Sequence, residues 1–130
     1  MTARLNALTY LVLGAGVAGT WGLMALGEQR EDGSVGATLL RYLWTALPYA
    51  VVALTTHFLA RTPARRLVVL AGAGGIAMGG LGLLVDGMLL NPDPHVDLTI
   101  LLLPAYQLVL AVAVLLVVAV LSLRRPVSRA

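Results

Sequence analysis

Six side chains set among apolar residues have types that could do chemistry: Trp21, Arg41, Tyr49, Asp86, Tyr106 and Gln107. An acid, an amide and two phenols beneath a guanidinium could form an outward-facing polar site. Asp86 would bind a proton or cation there, and Tyr106 and Gln107 would line its path. His57 is a separate candidate, because imidazole exchanges protons near neutral pH. Depth keeps it apart from Asp86. At 1.5 Å per residue Asp86 lies roughly 7 Å inside one boundary and His57 roughly 6 Å inside the other, leaving some 15 Å between them. Thr55, Thr56 and Gln107 are the polar groups between. A structural reading competes with all of this. Trp and Tyr anchor membrane interfaces, Asp86 can reach headgroup water or pair with Arg41, and Gln107 can tie two helices together. The sequence favours that structural role.

Other chemistries find little support. There are no cysteines, which removes disulfides, thiolate metal sites and cysteine nucleophiles. Gly14-Ala15-Gly16-Val17-Ala18-Gly19 matches a dinucleotide-binding pattern, but it lies in an apolar span without the strand and acid that give the pattern meaning. Ser34, Ser122 and Ser128 have no accompanying His/Asp arrangement. Asp93, His95 and Asp97 share a turn without the further donors a metal site needs. No cofactor, metal or enzymatic activity is expected. The net charge of +3 comes from short arginine clusters beside apolar runs. That pattern reads as membrane topology, and no nucleic-acid partner is expected.

The elements that would position these residues are four apolar segments, at about 5–27, 40–60, 67–90 and 98–123. Each is near or above the roughly 20 residues that span a bilayer as a helix, and helices satisfy their own backbone in lipid. With 59% hydrophobic and 12% charged residues in 130, a water-soluble fold could not hide the apolar surface. The expected fold is an all-α membrane domain of four transmembrane helices in an up-down bundle. Polar turns join them: EQREDGSVG at 28–36, RTPARR at 61–66 and NPDPHVD at 91–97. Asn91 and Asp97 are candidate helix caps. Arg4 and the apolar run behind it resemble a secretory signal, but the run continues to Leu26, longer than a cleaved core. A retained first helix is expected.

Orientation follows from the arginines, since lysine is absent. With the amino terminus inside, Arg4, Arg61, Arg65, Arg66, Arg124, Arg125 and Arg129 are cytoplasmic, against Arg30 and Arg41 outside. That bias places both termini in the cytoplasm. Arginine in place of lysine, with abundant Ala, Gly, Val and Leu, suggests a GC-rich bacterium and its inner membrane. Gly14-Ala15-Gly16 and Gly72-Ala73-Gly74, each followed by Gly-Leu and later by Leu-Pro and Tyr, hint at two parallel helical-hairpin repeats. In size and helix count the chain resembles small multidrug transporters and fluoride channels. It lacks the first-helix glutamate of the former and the Thr/Ser/Phe-rich segment of the latter, and is assigned to neither.

Small residues mark the expected packing faces. Gly72, Gly75, Gly79 and Gly82 form one stripe with Asp86, spaced three and four apart. Ala15, Gly19 and Gly22 offer a matching surface on the first helix, and Ala46, Ala50 and Ala53 share a face with His57 on the second. Close approach at such residues replaces the hydrophobic force between helices in lipid. The first and third helices are therefore expected to pack closely. The favoured function is an interaction or structural subunit that binds another membrane protein, or itself, through these Gly/Ala faces. A small transporter or channel component built on Asp86 is the alternative, and an intramembrane enzyme the third reading.

Overall fold

A computed structural model describes residues 2–28, 34–92 and 94–124. It is all-helical: α1 (Thr2–Glu28), α2 (Val35–Phe58), α3 (Pro63–Val85) and α4 (Val96–Leu123), with α3 running on into a π-helical turn, Asp86–Leu90. All four helices are long and apolar enough to cross a membrane. Most begin several residues ahead of the apolar segment expected, because polar residues start them. The Ala37 N–H donates to Ser34 Oγ (3.3 Å) at the head of α2. The Arg65 N–H donates to Thr62 Oγ1 (3.4 Å) at the head of α3, where Pro63 occupies the first turn and gives up no needed donor. The apolar run measures the hydrocarbon layer, whereas the caps set the helix.

The exterior is greasy throughout. Leu11, Leu40, Leu43, Met78 and Val109 are each at least two-thirds exposed, an arrangement suited to lipid contact. Polar side chains turn inward instead: Thr9, Thr20, Thr45, Thr55, Thr56 and Gln107 are buried. Most of the threonines satisfy themselves within their own helix. Thr9, Thr55 and Thr56 donate to the carbonyls of Leu5, Val51 and Val52 at 2.8–2.9 Å, and Thr45 donates to that of Tyr42. This back-bonding lets a hydroxyl enter the core without a cross-helix partner.

Alanine and β-branched residues, with Tyr49, dominate the centre: Tyr49, Val52, Val69, Ala73, Ile76, Ala77, Ala111 and Val118. α1 packs most extensively on α3, and α2 on α4. Gly16 lies against Ala77 and Gly19 against Leu81, so α1 and α3 run in the same direction. α2 runs against α1, since Gly16 meets Tyr49 and Trp21 meets Tyr42. α4 runs against α3, since Gly72 meets Val114 and Gly80 meets Gln107.

The close packing of α1 on α3 is as expected, but the residues that make it are largely different. A Cβ built on Gly16 would lie 2.5 Å from the Tyr49 ring, and one on Gly19 would lie 2.8 Å from Leu81. Gly22, Gly75, Gly79 and Gly82 have nothing beyond the backbone of their own helix turn within 4 Å of that position, and Ala15 is exposed. Gly72 packs on α4 rather than α1. The face α3 turns inward carries Ala73, Ile76, Ala77, Gly80 and Leu84. Turning that face inward brings Gly80 under Gln107 and leaves the expected stripe mostly outside. On α2, Ala46 and Ala53 are half-buried and Ala50 is exposed.

Candidate functional site

The polar residues that converge do so in the core. Gln107, 5% exposed on α4, donates from Nε2 to the Ile76 carbonyl at 3.0 Å and to Tyr49 Oη at 3.4 Å. Ile76 O is the carbonyl that the Gly80 N–H reaches in an α-helix, and a side chain at position 80 would stand over it. A Cβ on Gly80 would collide with Gln107 Nε2. Glycine thus opens the flank of α3 so that an amide from α4 can reach its backbone. Tyr49 completes the arrangement from α2, and its ring lies across Gly16 of α1. An amide, a phenol and a carbonyl supply no nucleophile or base here. They can hold four helices in one register, and an interhelical bond of this kind is worth about 0.6–2 kcal/mol in a bilayer.

The remaining members of the expected polar site lie elsewhere. Tyr106, next to Gln107 in sequence, is 69% exposed, because neighbouring helical residues point about 100° apart. Asp86 is exposed, and its carboxylate accepts from Asn91 Nδ2 at 2.7 Å. The Asn91 N–H closes the π-helical turn on Asp86 O, also at 2.7 Å. Asp86 and Asn91 therefore finish the helix together. Trp21 donates to the Tyr42 carbonyl at 3.2 Å and meets the Tyr42 ring edge-on at 5.5 Å. Trp44 donates to Leu101 O of α4 at 2.8 Å, one turn ahead of Pro104, whose missing N–H interrupts the helix ladder. Arg41, Trp44, Leu98, Ile100 and Leu101 line a cavity of about 300 Å³ at this end. His57 is exposed and packs edge-on against Phe58 at 4.8 Å. The structure thus brings Tyr49 and Gln107 together and leaves Trp21, Arg41, Asp86, Tyr106 and His57 outside their contact.

At the opposite end two arginines do work that charge counting alone does not show. Arg65 donates from Nη1 to Leu59 O (3.4 Å) and from Nη2 to Leu121 O (3.2 Å). Arg66 donates from Nε to Ala60 O at 3.0 Å. One guanidinium therefore caps the C-terminal carbonyls of α2 and α4 at once, where the helix dipoles are negative. Among the described residues no group of three or more His, Cys, Asp or Glu side chains could hold a metal. Residues 29–33, Asp93, the side chain of Asp97 and the tail with Arg125 and Arg129 lie outside the described residues.

Sequence reasoning missed Gly16 and Gly80 as packing glycines and Arg65 as a double cap. The signal for Gly80 was present: one glycine among many, but at the depth of the buried amide. No family model, curated protein or solved structure matches the chain.

Proposed function

We propose that the chain is an interaction subunit of a bacterial inner membrane, which docks a transmembrane helix of another protein on the outer face of α3. The observation that carries this reading is the row of small residues left open there. Ala71, Gly75, Gly79 and Gly82 are exposed, and the three glycines have nothing beyond the backbone of their own helix turn within 4 Å of a Cβ position. Met78 and Leu83 flank them, 77% and 56% exposed. Each glycine in a helix interior gives up about 1 kcal/mol of helix propensity relative to alanine, and packing inside the chain returns nothing at these positions. A row spaced 71, 75, 79 is a shallow channel in which a second helix can approach backbone to backbone. Within the bundle, Gly80, Gln107 and Tyr49 keep α3 in the rotation that presents this channel.

In this reading the helices alternate across the membrane with both termini cytoplasmic, which the arginine distribution supports. Gly79→Leu fills the channel without touching the core. Co-purification from native membranes, and Förster transfer between differently labelled copies in liposomes, test the two kinds of occupant. The reading expects the wild-type chain to co-purify with a different protein and Gly79→Leu to abolish that association. Unchanged association, association between copies alone, or none, would defeat it.

A further inference from the structure

We propose that the end of the bundle formed by the α2–α3 turn and the C-terminus of α4 is a binding site for anionic phospholipid headgroups. The argument begins with a charge imbalance. Arg61, Arg65 and Arg66 crowd a six-residue stretch, and Arg4 and Arg124 stand at the start of α1 and the end of α4. All six acids of the sequence fall between α1 and α2 or between α3 and α4, or at the helix ends facing those connections: Glu28, Glu31, Asp32, Asp86, Asp93 and Asp97. Trp21 on Tyr42 and Trp44 on Leu101 fix the C-terminal part of α1, the N-terminal part of α2 and that of α4 as one end of the bundle. Arg65, bridging Leu59 O and Leu121 O, fixes the other. Among the described residues, no carboxylate side chain lies at the arginine end.

Local geometry leaves part of this charge unused. Arg65 and Arg66 lie in the first turn of α3, and their side chains reach the carbonyls at the ends of α2 and α4. Arg65 spends its Nη groups on the carbonyls of α2 and α4. Arg66 uses only Nε in a described bond, to Ala60 O, which leaves its two Nη groups for an outside acceptor. Arg61 and Arg124 are exposed at the same end of the bundle. Guanidinium forks bind phosphate oxygens in pairs, and basic pockets between helices at the cytoplasmic surface suit anionic headgroups. The acyl chains of the same lipid would lie along the exposed leucines of the outer faces. A lipid therefore meets both the charge and the apolar surface, whereas free phosphate meets only the charge.

The test is thermal unfolding of the full chain in neutral detergent, followed by circular dichroism, as lipid is titrated in. Phosphatidylglycerol should raise the melting temperature in a saturable way, and phosphatidylcholine should not. Arg61→Gln and Arg124→Gln leave the described helix caps in place, and each should weaken the apparent lipid affinity about fivefold. Arg41→Gln, at the opposite end, should leave it unchanged. Equal stabilisation by both lipids would overturn the proposal. So would full retention of the effect in the Arg61→Gln/Arg124→Gln double variant, or reproduction of the shift by inorganic phosphate at the same concentration.

Discussion

Gly80→Ala adds one methyl group, and the structure assigns it a large effect. The new Cβ would occupy the space of Gln107 Nε2, so the amide would have to leave Ile76 O and Tyr49 Oη. Stranding a buried amide costs about 2 kcal/mol. Crowding a tight helix contact adds about 1–2 kcal/mol, and the better helix propensity of alanine offsets about 1 kcal/mol. The net expectation is a loss of about 2–3 kcal/mol. A double-mutant cycle isolates the cause. In a Gln107→Ala background the amide is gone and the space is free, so adding Gly80→Ala should be neutral or slightly stabilising. Gly75→Ala, where nothing lies within 4 Å, serves as a control and should not destabilise the isolated chain. The measurement is equilibrium unfolding by sodium dodecyl sulfate from a mild detergent, followed by far-ultraviolet circular dichroism. An equal cost of Gly80→Ala in both backgrounds, or a stabilised Gly80→Ala protein, would refute the reasoning.

Two further outcomes follow from the ends of the bundle. Arg65→Met removes the shared cap on Leu59 O and Leu121 O and should cost about 1–2 kcal/mol in the same unfolding assay, with no change expected if the two bonds are incidental. A fluorescent reporter fused after Ala130 should light up in the cytoplasm, and a periplasm-dependent phosphatase fused there should stay silent; the reverse pattern would invert the assigned orientation.

The sequence made the four spans legible because their length and composition answer directly to bilayer thickness. It did not reveal how each helix is rotated. In water an apolar stripe points inward and a polar face points out, but these helices are apolar nearly all round, so periodicity finds stripes without saying which way they face. The Gly72–Gly82 stripe is a real helical face, mostly directed away from the bundle. The residues that do mark the inside are polar: Thr55, Thr56, Gln107 and the phenol of Tyr49 are buried. Tyr106 and Gln107 are adjacent in sequence but about 100° apart around the helix, so only Gln107 points inward, and the Asp86 carboxylate is engaged by Asn91 five residues on. Arg65 as a cap was invisible for another reason. Its acceptors, Leu59 and Leu121, are 6 and 56 residues away, and only the assembled bundle brings them together.

The outer channel of α3 carries the functional account, and the absence of cysteine from the chain allows it to be probed cleanly. Met78→Cys places a single thiol beside the channel, and Leu116→Cys places one on the exposed face of α4, 59% exposed in the wild-type chain. Labelling the thiol in native membranes with a photoactivatable benzophenone maleimide and irradiating should give a discrete adduct with a different protein from position 78 and none from 116. That adduct should disappear when Gly79→Leu is added. No adduct at 78, or one that persists with leucine in the channel, would contradict the assignment of this face as the interface.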